Sequence, residues 1–168
     1  MRLGSPITAV VAGLVAGAAG TVVMDAMLYA RYRRGGGDQQ PLDWEFKGVP
    51  NWEKASVPGT VGRRLFEAYT QTKLGPEKAQ LTNTVMHWSY GVIWGALYGI
   101  LAGSLRRPRV WLGPPFGAAV WLASYAMLPP TGLYKPIWEY DSKTLWNDLS
   151  AHLAYGAGLA AAFRLVAH

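Results

Sequence analysis

Three histidines, ten carboxylates and no cysteine bound the chemistry open to this 168-residue chain. Two of the histidines sit in the same short setting: Asn83-x-x-x-His87-x-x-Tyr90-Gly91 and Asp148-x-x-x-His152-x-x-Tyr155-Gly156. Steps of four and three residues put each set on one helical face. Three chemistries suit such a pair. His87 and His152 can ligate a b-type haem iron axially, with Gly91 and Gly156 leaving room for the macrocycle. Asp25, His87, Asp148 and His152 can hold a divalent metal such as zinc. Histidine beside a buried carboxylate can also relay protons, because its pKa is near physiological pH. The plainest alternative has no cofactor: the four side chains satisfy one another and fix helix register. In that reading Asp148 simply favours the positive N-terminal end of its helix.

The elements that must position these residues are blocks of apolar sequence. Residues 7–29 contain one charge, Asp25, whereas 85–105, 110–128 and 149–163 contain none. About 20 such residues cross roughly 30 Å of hydrocarbon at about 1.5 Å each. The expected fold is therefore an all-α membrane protein, a single domain with four transmembrane helices over residues 7–30, 84–105, 110–128 and 146–166. A mean hydropathy of only +0.08 reflects dilution by the polar connector 31–82. With the connectors between spans one and two and between three and four on one side, the ends of these helices converge. Asp25, Asn83, His87, Tyr125, Asp148 and His152 are then expected to form one polar cluster near one membrane face. Tyr90 and Tyr155 follow the histidines on the same face and can bond into it. The N-terminal apolar run is long for a signal peptide and ends in Asp25, so an uncleaved span is expected.

Laid on itself, the chain shows an internal repeat. Gly17-Ala18-Ala19 and Ala26-Met27-Leu28 match Gly117-Ala118-Ala119 and Ala126-Met127-Leu128 at identical spacing, and the histidine signature matches the second span to the fourth. Two similar helical hairpins follow, related by an axis along the membrane normal. Gly13, Gly17 and Thr21, and likewise Gly91, Gly95 and Gly99, form small-residue ridges that let helix backbones approach. In the connector, residues 35–58 read as irregular. Thr60 is expected to cap a short amphipathic helix with Val61, Leu65, Ala68, Tyr69 and Thr72 on one face. Trp44, Phe46 and Trp52 suit the headgroup level.

A pI near 9.7 does not point to nucleic acid, since the basic residues cluster at span ends where lipid headgroups are the natural partners. Arg2, Arg106, Arg107, Arg109 and Arg164 share one end with no acid. The other eleven Lys and Arg lie at the opposite end with all ten acids. Charge density in the short arginine loop favours both termini in the cytoplasm. Lack of cysteine excludes disulfides and thiolate chemistry. No nucleotide loop, nucleophile elbow or zincin motif occurs, and Gly35-Gly36-Gly37 reads as linker. No enzyme activity is expected. The partners expected are the bilayer, a second copy of the chain, or a larger membrane complex docked on the aromatic connectors.

From Asn83 to Phe163 the chain resembles the YagU-like family of bacterial inner-membrane proteins. The residues that carry this are His87 with Tyr98, then Gly113 and Gly117, Pro129-x-x-Gly132-Leu133-x-x-Pro136, and His152-Leu153. The resemblance implies a multi-pass inner-membrane protein with cytoplasmic termini, and implies no activity. The first span and long connector match that pattern only loosely.

Overall fold

Proline and glycine punctuate the helices of the computed structural model, which describes residues 5–105 and 110–167. Helix α1, Pro6–Arg34, opens on a proline and gives way to Gly36, whose φ of +91° only glycine adopts freely. Gly35-Gly36-Gly37 is thus a helix stop. Helices α2 (Pro41–Lys47), α3 (Val57–Thr70), α4 (Ala79–Ser104), α5 (Gly113–Met127) and α6 (Ser142–Val166) follow. Short 3₁₀ turns precede α4 and α5, and two more link α5 to α6. Among the described residues there is no strand. The arginine loop 106–109 and Arg2, which bear on orientation, lie outside the described residues.

Two helices, α1 and α6, are long and apolar enough to cross a membrane by length and composition. The expectation of four such helices is not met, for different reasons in the other two. Helix α4 has the length, 26 residues, but Asn83, His87, Ser89 and four glycines dilute its apolarity. Helix α5 has only 15 residues because 110–112 wind as a 3₁₀ turn before Pro114 and Pro115. That is about 22 Å of helix, short of a hydrocarbon core.

The chain forms two compact units, residues 1–28 with 91–168, and residues 29–90. In the first, Tyr98, Val120, Leu159 and Phe163 make a buried core, and α1 meets it with small residues. The α1 residues turned inward are Ala9, Ala12, Gly13, Ala16, Gly17, Gly20 and Thr21. Its large aliphatics point outward, with Ile7 75% exposed and Val11, Val15 and Val22 more than half exposed. On α4, Ile93, Leu97, Ile100 and Leu101 are likewise exposed. The two glycine ridges meet: a Cβ on Gly17 would stand 2.6 Å from the Gly91 carbonyl oxygen and 2.9 Å from the Gly95 Cα. Backbone there touches backbone. Helices α5 and α6 pack the same way, Gly113 and Gly117 against Gly156. Tyr98 fills the centre, edge-on to Phe116 and Phe163 at 5.1 and 5.5 Å between ring centroids.

The second unit is knitted by polar side chains instead. Residues 35–58, expected to be irregular, contain α2. Gln80 accepts from the Val49 amide at 2.7 Å and donates to the Glu45 carbonyl at 3.0 Å. The Trp88 indole donates to the Glu45 carboxylate at 2.8 Å. Trp52, expected at the headgroup level, donates to the Leu74 carbonyl and carries the Arg63 guanidinium 5.1 Å from its ring centroid. Trp44 packs between Tyr29 and Tyr32.

Candidate functional site

Asp141 fixes where α6 starts. Its carboxylate accepts from the Thr144 amide at 2.9 Å and the Thr144 hydroxyl at 2.6 Å, an N-cap that holds the Asp141 carboxyl below the ordinary aspartate range. Helix α6 therefore begins four residues before the expected 146. Asp148, expected to serve the helix N-terminus, lies nearly two turns inside; Asp141 does the capping.

One turn beyond Asp148 comes His152. Its Nδ1 stands 2.9 Å from the Asp148 backbone carbonyl and 3.5 Å from the Asp148 carboxylate. A carbonyl oxygen only accepts, so that bond assigns the proton to Nδ1 and leaves the Nε2 lone pair of a neutral ring available. From α5, the Tyr125 hydroxyl lies in hydrogen-bonding range of the Asp148 carboxylate. Tyr125 is buried, and its ring packs on Trp121, Tyr134 and Tyr140 at 5.0, 4.8 and 5.3 Å between centroids. Asp148 thus lies beside a phenol on α5 and an imidazole on its own helix, and the 129–141 connector lays Tyr134 and Tyr140 on that phenol.

The other expected members have different employments. Asn83 Oδ1 accepts from both the amide (3.0 Å) and the hydroxyl (2.6 Å) of Ser56. Ser56, not Thr60, is the N-cap of α3, and the Thr60 hydroxyl donates to the Ser56 carbonyl. Tyr155 is 3% exposed and donates to the Gly91 carbonyl at 2.6 Å, tying α6 to α4. Tyr90, which follows His87 as Tyr155 follows His152, is 38% exposed. His87 is half-buried on α4, within the 29–90 unit. Asp25 sits one turn after Thr21, with one carboxylate oxygen fully buried. Tyr125, Asp148 and His152 come together; Asn83 and Tyr155 are engaged elsewhere.

Two chemistries lose support on geometry. Room for a macrocycle was expected beside Gly91 and Gly156. A side chain on Gly91 would meet the Thr21 hydroxyl and the Tyr155 ring, and one on Gly156 would meet Gly113 and Gly117. Neighbouring helices fill both sites, and haem does not fit there. Among the described residues no three His, Asp or Glu side chains are grouped to hold a metal ion. Asp148 and His152 satisfy each other at i and i+4 instead.

Sequence reasoning passed over Trp121, Tyr134 and Tyr140 as members of this site. The Asp141-x-x-Thr144 cap was the available signal, since it sets Tyr140 immediately before α6. Tyr134 carries no such signal, because its place depends on how the connector folds back. No protein-family model, curated protein or solved structure matches this chain.

Proposed function

We propose that this is a small multi-pass protein of the bacterial inner membrane whose α5–α6 pair binds a proton at His152. The observation that carries the proton reading is the pinned imidazole. The Asp148 carbonyl accepts from Nδ1, which leaves the Nε2 lone pair to accept a proton. Tyr125 approaches the Asp148 carboxylate from α5. Such a site suits proton-coupled transport or envelope homeostasis and requires no bond-making chemistry of its own.

The membrane reading rests on the outer faces of α1 and α4. Ile7, Val11, Val15, Ile93, Leu97 and Ile100 leave apolar surface that water does not explain and lipid does. The outward aliphatics of α4 extend that argument to a helix with no single stretch as apolar as those of α1 and α6. Helix α5 completes four crossings if its flanking 3₁₀ turns and a locally thinned bilayer make up the length. The repeat fits the same picture with a slip of one turn. Gly13 lies against Gly95 and Gly99, while its counterpart Gly113 lies against Gly156 and Ala160, the counterparts of Gly91 and Gly95. Both termini in the cytoplasm, and kinship with the YagU-like family, belong to this reading.

With three histidines in the chain, ring ¹⁵N NMR of the detergent-solubilised protein tests the site directly. On lowering the pH from about 9 to about 4, His152 is expected to keep the Nδ1 proton and gain one at Nε2. An imidazole that stays in one state throughout, or a neutral form protonated at Nε2, sinks the reading. In liposomes with an internal pH dye, Asp148→Asn and His152→Ala are expected to lower proton uptake at least about tenfold, as befits charge-binding groups in a membrane.

A further inference from the structure

Helix α3 is too short to cross a bilayer, at 14 residues, and its two faces are used in opposite ways. The inward face is glycine. A Cβ on Gly59 would stand 3.1 Å from the Asn83 Cα, and one on Gly62 2.7 Å from the Thr82 methyl, so α3 lies directly on the first turns of α4. The side chains expected to form its apolar face are turned away from that contact. Leu65 is 60% exposed, Tyr69 91%, and Phe66 is exposed beside them. The unit that carries this patch is basic: residues 29–90 hold nine Lys and Arg against six Asp and Glu.

We infer that Leu65, Phe66 and Tyr69 seat α3 in the headgroup layer of an anionic membrane. Three observations favour lipid over other occupants. The patch joins a leucine and a phenylalanine to a tyrosine, the mixture that suits the boundary between acyl chains and water. The surplus of positive charge in the same unit complements anionic headgroups. Only residues 71–78 separate α3 from α4, so α3 stays beside a helix that the membrane reading sends through the bilayer. The inference rests on that reading.

Absence of cysteine makes single-cysteine labelling of the whole chain specific. An environment-sensitive fluorophore is placed in separate variants: Leu65→Cys, Tyr69→Cys, Lys54→Cys in an exposed turn, and Val15→Cys on the outer face of α1. The protein is held one copy per nanodisc of phosphatidylcholine with phosphatidylglycerol. Labels at 65 and 69 are expected to be quenched several-fold more by nitroxide-bearing lipid than the label at 54, and several-fold less by aqueous iodide. Removing phosphatidylglycerol lowers the lipid quenching at 65 and 69 and leaves 15 unchanged. If 65 and 69 respond to iodide like 54 while 15 stays shielded, the inference falls and the membrane reading stands. If 15 is open to iodide as well, both fall. Shielding at 65 and 69 without lipid quenching, or only in discs holding two copies, assigns the patch to protein and overturns the inference. Equal lipid quenching with and without phosphatidylglycerol overturns its electrostatic part.

Discussion

Residues 1–28 with 91–168 are held by backbone against backbone, whereas residues 29–90 are held by side chains reaching backbone. In the first unit, Gly13 and Gly17 touch Gly95 and Gly91 with no side chain between them. In the second, Gln80, Asn83 and Trp52 each tie off a backbone group from a distant segment, and Glu67 the Leu74 amide just past its own helix. The two modes suit two solvents. Where apolar surface has no reason to leave its surroundings, close van der Waals contact between small residues is what associates helices. Where water competes for every polar group, loops are ordered by satisfying their amides and carbonyls.

Breaking the first mode should cost most. Gly17→Val puts two methyl groups where the Gly91 carbonyl and Gly95 Cα already stand, and neither backbone can give way. Destabilisation of at least about 3 kcal/mol is expected, read as a lowered midpoint of unfolding in detergent. A midpoint within error of the parent protein would show that the contact is looser than backbone packing. Tyr155→Phe removes one buried hydrogen bond to the Gly91 carbonyl and keeps the ring, so about 1 kcal/mol should be lost in the same assay. A far larger loss would mean that polar bonds, and not glycine contacts, hold α6 to α4.

The second mode is sharpened by Asn83→Ala. Ser56 loses the acceptor of both its amide and its hydroxyl, and about 1 kcal/mol of local stability should go with it. Faster proteolysis and amide exchange around residues 51–60 would report this, with the 91–104 amides unchanged. The smallest effect is electrostatic. The Leu74 amide, and after it Arg63, hold the Glu67 carboxyl below the ordinary glutamate range. A lowered pKa adds stability that is complete above the unfolded value and vanishes as pH falls through the folded one. Leu74 amide protection should therefore persist through the usual glutamate range and fade only below it. In Glu67→Gln that pH dependence should vanish, and if it stays, another carboxylate is responsible.

Much of the candidate site was legible because it is local. Asp148 and His152 are four apart on one helix, and a four-residue step on a helix is a contact wherever the helix lies. Asn83 and Tyr155 were marked as polar residues with partners to find, and spacing could not say which. Asn83 meets Ser56, 27 residues away, and Tyr155 meets Gly91, 64 residues away. The apolar face of α3 was read from its period, but period does not tell whether such a face turns toward protein or away. Gly59 and Gly62 decide that, because only their side of the helix can lie flat on α4.

Apolar blocks, glycine ridges and the i, i+4 pairing of Asp148 with His152 follow from the order of residues alone, since each depends on neighbours within a turn or two. Gly91 packed against Thr21 and Tyr155, Gly156 against Gly113 and Gly117, and Tyr134 and Tyr140 on Tyr125 come from tertiary contact. Those depend on which surfaces meet at what depth. Steric fit between distant segments sets that depth, and no periodicity in one segment encodes it.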